Sequence, residues 1–170
     1  MKTRILTLVA ACAALLFTAR SAVAGSKTTT FNVTSSVSAN CSITATDLSF
    51  GAYDPVVANK TTALDVNTSV NVLCTKGSSG VTVGLNLGTH SAAGNRFMSN
   101  GTDSLQYELY SDAAGGTVWG NSGAALVGWP VFGPIGAGAG VSKTVFGRVP
   151  AGQDVSVGSY SDLITATVNF

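Results

Sequence analysis

Apolar and polar residues alternate towards the end of the chain, within residues 160–170. One phase of this alternation consists of Ile164, Ala166, Val168 and Phe170. A two-residue period predicts a β-strand with one apolar face. Because no further segment follows this pattern, we expect a β-sandwich that lacks its last strand. Such a sandwich has an unpaired edge and an uncovered core beside its terminal strand.

A second alternating segment, residues 29–39, lies near the other end of the chain. Its apolar phase consists of Phe31, Val33, Val37 and Ala39, and the polar residue Ser35 falls in the middle of that phase. Such a segment fits as an added strand in the incomplete sandwich of another molecule. Only Asn40 separates it from the next predicted strand. We therefore expect it to project from its own subunit and to form no part of that subunit's core.

Further short alternating runs fill the rest of the chain, separated by turns rich in Gly, Pro, Asn and Asp. The predicted strands are 41–46, 66–74, 81–87, 105–109, 141–149 and 163–170. Strands at this spacing favour an antiparallel β-sandwich, with no helix longer than a turn or two after residue 24. We expect the core to include Val70, Val72, Val83, Leu85, Leu105, Tyr107, Leu109, Ile164 and Val168.

Residues 1–24 have the pattern of a secretory signal peptide, with basic residues, an apolar stretch and a small-residue cleavage site ending at Ala24. We expect the mature chain to begin at Gly25 and to be exported. The whole chain has nine basic and eight acidic residues; loss of Lys2, Arg4 and Arg20 leaves six basic residues and a net charge near −2. The absence of a basic stripe argues against a nucleic-acid partner.

Two cysteines, Cys41 and Cys74, remain after the signal peptide is removed. Both lie in the apolar phase of their strands, and export places them in an oxidising compartment. We expect a buried disulfide that joins the first two strands of the sandwich. In the chain-entropy model, closing this loop stabilises the fold by roughly 3–4 kcal/mol.

Candidate chemistry is sparse. The one histidine, His90, lies in a glycine-containing loop and is expected to be a solvated loop residue and not a member of a catalytic triad. With the cysteines paired, no soft-metal cluster is visible. The glycine-rich run 133–140 lacks the lysine and following helix of a phosphate loop. We assign Trp119 and Trp129 to the core. The prediction is a non-enzyme with no catalytic residue, metal or cofactor.

Several motifs occur in order between residues 29 and 170. They are 50–55 (FGAYDP), 70–74 (VNVLC), 95–98 (NRFM), 105–112 (LQYELYSD), 146–153 (FGRVPAGQ) and 158–162 (GSYSD). These motifs resemble those of the spore coat protein U domain family, which includes the subunits of archaic chaperone–usher pili.

The resemblance implies an incomplete immunoglobulin-like sandwich at 40–170, preceded by a donor-strand extension at 25–39. It further implies a periplasmic chaperone that engages the terminal strand and an outer-membrane usher. The donor strands would come from other copies in a homo-polymer or from other neighbouring pilin subunits. The chain is then expected to pass through the periplasm and to form a pilus at the cell surface that supports adhesion and biofilm formation. We expect a shaft or minor subunit.

Two other functions stay open. A secreted coat or matrix protein with the same sandwich would not form pili, and a folded monomer obtained without a chaperone favours that function. A secreted hydrolase or sugar-binding module is the weaker alternative. Activity that is lost when His90 is replaced would favour it.

Overall fold

β-Strands make up nearly all of the regular structure in the computed structural model, which describes residues 24–133 and 140–170. The one helical element in these residues is a 3₁₀ turn, Gly123–Ala125. The strands are β1 (Cys41–Ala45), β2 (Leu64–Cys74), β3 (Thr82–Leu85), β4 (Arg96–Ser99), β5 (Ser104–Tyr110), β6 (Val127–Gly128), β7 (Val141–Val149) and β8 (Ala166–Asn169). The predicted signal peptide lies outside the described residues apart from Ala24, and so does most of the glycine-rich run 133–140.

The strands form two antiparallel sheets. The larger sheet has the strand order β1-β2-β7-β5-β4, and the smaller one has the order β6-β3-β8. Buried side chains alternate with more exposed ones along the strands, as Leu105, Tyr107 and Leu109 of β5 illustrate. Both sheets contribute to one hydrophobic core within the compact unit Ser36–Phe170. The all-β, antiparallel fold predicted from the two-residue period is therefore confirmed.

Trp119 and Trp129 lie in this core, as predicted. Trp119 is fully buried, Trp129 is nearly so, and their ring centroids are 5.9 Å apart. Each indole N–H donates a 2.9 Å hydrogen bond to a backbone carbonyl, Trp119 to Val83 and Trp129 to Val141. Because the polar end of each ring has a partner, both rings can be buried without an unsatisfied donor.

Cys41 and Cys74 form the predicted disulfide. The two residues are directly opposite each other in the β1–β2 register, with their Cα atoms 4.1 Å apart. Cys74 is buried, but Cys41 is only partly buried. The expectation that both would be buried was wrong for Cys41, because β1 is an edge strand with a neighbour on one side only.

The terminal strand also differs from its prediction. β8 begins at Ala166, whereas residues 163–165 have no regular secondary structure. Ile164 and Val168 pack against the core but are only half-buried, so their assignment to the buried core was wrong. The physical reason is the missing neighbour: β8 pairs with β3 on one side, and no strand of the described residues covers its other side.

Candidate functional site

Two edge strands border an opening in the sandwich. β1 is the outer strand of the larger sheet, β8 is the outer strand of the smaller sheet, and the two strands lie close to each other. Within the described part of the chain, neither has a hydrogen-bonded strand on its outer side. An edge strand presents a row of unpaired N–H and C=O groups, to which another strand can bond.

An apolar groove of about 340 Å³ lies at this opening. Inner residues of the larger sheet, the segment that follows β1 and the terminal segment all contribute apolar side chains to it. These are Val70, Tyr107, Leu109 and Val145, then Leu48 and Phe50, then Ile164 and Ala166. A concave apolar surface of this kind, bounded by strand edges, suits an extended peptide with alternating apolar side chains. We call it the acceptor groove.

Two of the four predicted acceptor residues, Ile164 and Ala166, line this groove. Ile164, Ala166 and Val168 share one face and pack against the core, while each remains half-buried. Phe170, at the end of the same phase, is 58% exposed. Their arrangement on one face agrees with the alternation in the sequence. Their role in binding a chaperone or a donor strand stays a prediction.

The predicted donor residues are exposed. Phe31, Val33 and Val37 are 82%, 84% and 83% exposed, and Ala39 is exposed as well. Residues 24–40 contain no strand or helix. Burial of large apolar side chains lowers the free energy. Three such side chains exposed in one short segment therefore mark it as a surface that a binding partner could cover. The donor role itself stays a prediction.

A second concavity of about 780 Å³ continues the acceptor groove. The two share Leu48, Phe50, Met98 and Tyr160. The second is otherwise lined by Leu105 and by residues 49–55 and 155–159. Sequence reasoning missed it, because these two segments are irregular and have no period that would assign their side chains to a face.

Asp162 is a polar residue of this site to which the sequence analysis assigned no role. Its side chain is only 2% exposed. It accepts hydrogen bonds from the hydroxyl of Tyr107 at 2.7 Å, from the backbone N–H and hydroxyl of Thr89 at 2.8 and 2.7 Å, and from the backbone N–H of His90 at 3.2 Å. Burial alone raises the pKa of this carboxyl, but the hydrogen bonds from Tyr107 and Thr89 outweigh it and hold the pKa below its ordinary value.

His90 lies in the loop between β3 and β4, and its side chain is 44% exposed, as expected for a loop residue. Its Nδ1 is 3.1 Å from Asp162 Oδ1 and 3.2 Å from Thr89 Oγ1. In a catalytic triad, the carboxylate and the nucleophile contact different nitrogens of the imidazole. Here the Asp162 carboxylate and the Thr89 hydroxyl both lie at Nδ1 of His90, and the hydroxyl donates its hydrogen bond to the carboxylate. This geometry does not activate a nucleophile.

Arg96 is a fully buried arginine beside the groove. Its guanidinium donates to the backbone carbonyls of Asn86 and Leu85 at 2.9 Å and of Trp119 at 2.7 Å, and it pairs with Glu108. These bonds fix the end of β3, the strand on which β8 depends. The alternation of the sequence gave no sign of this residue, and only its place in the resemblance to the family drew attention to it.

Two further features of the described residues concern metal binding and membrane crossing. No group of three or more His, Cys, Asp or Glu side chains is close enough there to hold a metal ion. None of the helical structure in those residues has the length and apolar character needed to cross a membrane.

Comparison with known proteins identifies the family. Residues 27–167 match the model of the Spore Coat Protein U domain, and the chain therefore belongs to that family. It is similar to Protein U of Myxococcus xanthus, with 37% identity over 100 residues that cover 54% of this chain and 53% of Protein U. The chain thus spans about half the length of the curated relative it matches.

Among solved structures, the chain is similar to one from the CsuC–CsuE chaperone–tip adhesion subunit pre-assembly complex from archaic chaperone–usher Csu pili of Acinetobacter baumannii. The identity is 20%, the TM-score is 0.46, and the match covers 79% of this chain and 40% of that one. At this distance we draw no functional argument from it.

Proposed function

We propose that this chain is a structural subunit of an extracellular pilus that assembles by donor-strand exchange. The observation that carries the proposal is the acceptor groove between the edge strands β1 and β8. One further strand would fit in this groove. A neighbouring subunit supplies that strand through its residues 29–39. Main-chain hydrogen bonds to the edge strands give affinity, and apolar side chains in the groove give specificity.

The path of the chain before β1 supports donation to another copy. The Thr75 N–H donates to the Asn40 carbonyl at 2.9 Å, the Asn40 N–H donates to Thr75 Oγ1 at 3.1 Å, and Thr75 Oγ1 donates to the Ser38 carbonyl at 3.4 Å. Because Asn40 lies opposite Thr75, the backbone continues the line of β1 beyond the disulfide-linked pair. Residues 38–40 thus follow the edge of β2 past the end of β1, which is the path we expect for a segment that donates to another copy.

The free energy available to such a contact is large. Burial of Phe31, Val33 and Val37 stabilises the contact by roughly 5–9 kcal/mol before the cost of ordering the segment. Each backbone hydrogen bond formed with an edge strand adds about 0.5–1.5 kcal/mol. A non-covalent joint of this strength suits a long-lived fibre.

The same groove accounts for the partners we propose. An uncovered apolar face and unpaired edge favour aggregation, so a periplasmic chaperone covers the terminal strand after export. An outer-membrane usher then delivers the subunit to the growing pilus at the cell surface. Adhesion and biofilm formation are the activities we propose for the assembled pilus.

The donor assignment is tested by replacing Phe31 and Val33 together by Asp in the mature chain. The matched control replaces Thr30 and Asn32 by Asp, which adds the same charge to the same segment in the opposite phase. We expect the first variant to stay folded by circular dichroism but to form no fibres in electron microscopy and light scattering. The control is expected to form fibres. Fibre formation by the first variant at the parent's rate would show that the donor assignment is wrong.

The second candidate is a secreted coat or matrix protein that does not form pili. The match to the Spore Coat Protein U domain and the similarity to Protein U favour it. For this candidate, a different partner covers the acceptor groove. The test is the behaviour of the parent protein without a chaperone, at concentrations well above those of secretion. If it remains a monodisperse, folded monomer, the result favours a coat or matrix protein over a pilus subunit.

A further inference from the structure

The terminal segment crosses from one sheet to the other just before it becomes the acceptor edge. Ser161 pairs with Ser99 of β4 through backbone hydrogen bonds of 2.9 and 3.1 Å, whereas β8 pairs with β3 from Ala166 onward. The crossing, residues 161–165, belongs to no strand of either sheet. Strand pairing therefore does not fix most of its path, and contacts with other parts of the chain must do so.

One loop, residues 86–90, supplies those contacts at both ends of the crossing. At the start, Thr89 and His90 donate to the carboxylate of Asp162, which also accepts from Tyr107. At the end, the side-chain oxygen of Asn86 accepts from the Thr165 N–H at 2.8 Å, and the Asn86 N–H donates to the Thr165 carbonyl at 3.1 Å.

The loop is shaped around the carboxylate. Gly88 has a φ of +84°, and a Cβ at this position would lie 1.8 Å from Asp162 Oδ2. A side chain at residue 88 would therefore both strain the backbone and displace the carboxylate. We use the name latch for Asp162 together with Gly88, Thr89, His90 and Tyr107.

The latch acts against a specific alternative conformation. Ile164 lines the acceptor groove but is only half-buried, and Leu163 beside it is 67% exposed. In a subunit with an empty groove, the hydrophobic effect favours movement of the crossing inward, where these side chains would cover the exposed core. A crossing that collapsed in this way would occupy the space a donor strand needs.

We propose that Asp162 is a positioning residue for strand acceptance: the latch holds residues 161–165 at the rim of the acceptor groove and keeps the empty groove open for a donor. This inference rests on the proposed function. According to this inference, the latch raises the affinity of the groove for the donor strand. This effect is separate from the contribution of the latch to the stability of the whole fold.

The test measures binding of a synthetic peptide with the sequence of residues 29–39. The protein is the full mature chain with Phe31 and Val33 replaced by Asp, so that its own segment does not compete. Asp162→Ala is expected to weaken peptide binding by about tenfold if the closed form comes to outnumber the open form by about ten to one. Hydrogen exchange of residues 161–165 should rise in the same variant, while that of β2 and β7 should not.

Two controls separate positioning from stability. Val149→Ala removes volume from the core away from the groove and should lower the unfolding temperature without changing peptide affinity. Asp65→Ala removes another hydrogen-bonded carboxylate, which pairs with Arg148 outside the groove, and should also leave the affinity unchanged. If Asp162→Ala does not fold, Thr89→Val decides the matter. It removes one donor from a partly exposed loop and should weaken binding in the same direction.

The outcomes distinguish the two proposals. A peptide that binds the parent and the folded latch variants with equal affinity overturns the latch and leaves the proposed function standing. A peptide that does not bind the parent overturns the proposed function, and the role of the latch in strand acceptance with it.

Discussion

Two buried charges organise the groove end of this sandwich at the scale of single residues. The side chain of Asp162 is 2% exposed, and Arg96 is fully buried. A buried charge is tolerated only when hydrogen bonds replace the water it loses. Both residues meet this condition with several partners, and in each case the partners come from different elements. Each charge therefore ties together parts of the chain that are distant in sequence.

The stability contributed by Asp162 should depend on pH. Its folded pKa lies below the ordinary value because hydrogen bonds outweigh burial. Such a group stabilises the fold above its unfolded pKa, about 3.9, and this contribution disappears as the pH falls through the folded pKa. The unfolding temperature of Asp162→Asn should therefore fall below the parent's at neutral pH and approach it in acid. An unfolding-temperature difference that stays constant from neutral pH to pH ~2 would contradict the linkage.

Arg96 should matter far more than the other paired arginine, Arg148. Arg96→Met leaves the Glu108 carboxylate and three backbone carbonyls without their partner and should lower the free energy of unfolding by about 3–5 kcal/mol. Arg148→Met breaks a solvent-exposed pair with Asp65 and should lower it by only about 0.2–1 kcal/mol. Urea denaturation of the two variants measures the contrast, and equal losses would contradict it.

Strand β1 borders the acceptor groove and has a neighbour on one side only. Its register with β2 is fixed at one end by the disulfide between Cys41 and Cys74. Beyond that end, hydrogen bonds to Thr75 hold Ser38 and Asn40. An edge strand with a covalent tie can keep its register even when its other side is empty. This is what an acceptor site requires before a donor arrives.

Replacement of both cysteines by Ser should lower the free energy of unfolding by about 2–4 kcal/mol. It should also increase hydrogen exchange in β1 more than in β2, because β2 keeps β7 as a second neighbour. The measurements are chemical denaturation and amide hydrogen exchange. In the parent, thiol reagents should label neither cysteine of the folded, secreted protein, and labelling of both would contradict the disulfide.

For the whole molecule, the incomplete sandwich implies that one added strand should complete it. A copy of residues 29–39 joined after Phe170 by a short turn can fill the groove of its own chain, since it would run antiparallel to β8. A gain of about 5 kcal/mol should raise the unfolding temperature by roughly 10–20 °C. The completed chain should also stay monomeric, because its groove is occupied.

The matched control carries Asp in place of the Phe and the first Val of the added copy. It should unfold near the parent's temperature and remain able to accept a donor. If the added segment stabilises the chain equally with and without these two apolar residues, the segment does not fill the groove. Calorimetry and size-exclusion chromatography are sufficient to decide.

The sequence alone was enough to predict the all-β fold, most strands, the disulfide partners and the shared face of Ile164, Ala166 and Val168. These features depend on side-chain alternation and on cysteine count, which are local properties of a chain. The same reasoning predicted seven of the core residues correctly and placed Ile164 and Val168 too deep. An alternating pattern shows which side chains share a face, but not whether another strand covers that face.

Only the tertiary structure decided how the groove is built and held open. The neighbouring edges of β1 and β8, the crossing at residues 161–165 and the buried carboxylate of Asp162 all depend on contacts between segments far apart in sequence. Asp162 and Thr89 are 73 residues apart, and nothing local to either one indicates the other. The sequence determined which elements form and which faces are apolar. The packing of those elements determined where the described residues leave room for a further strand, because an empty position exists only between neighbours that the fold has brought together.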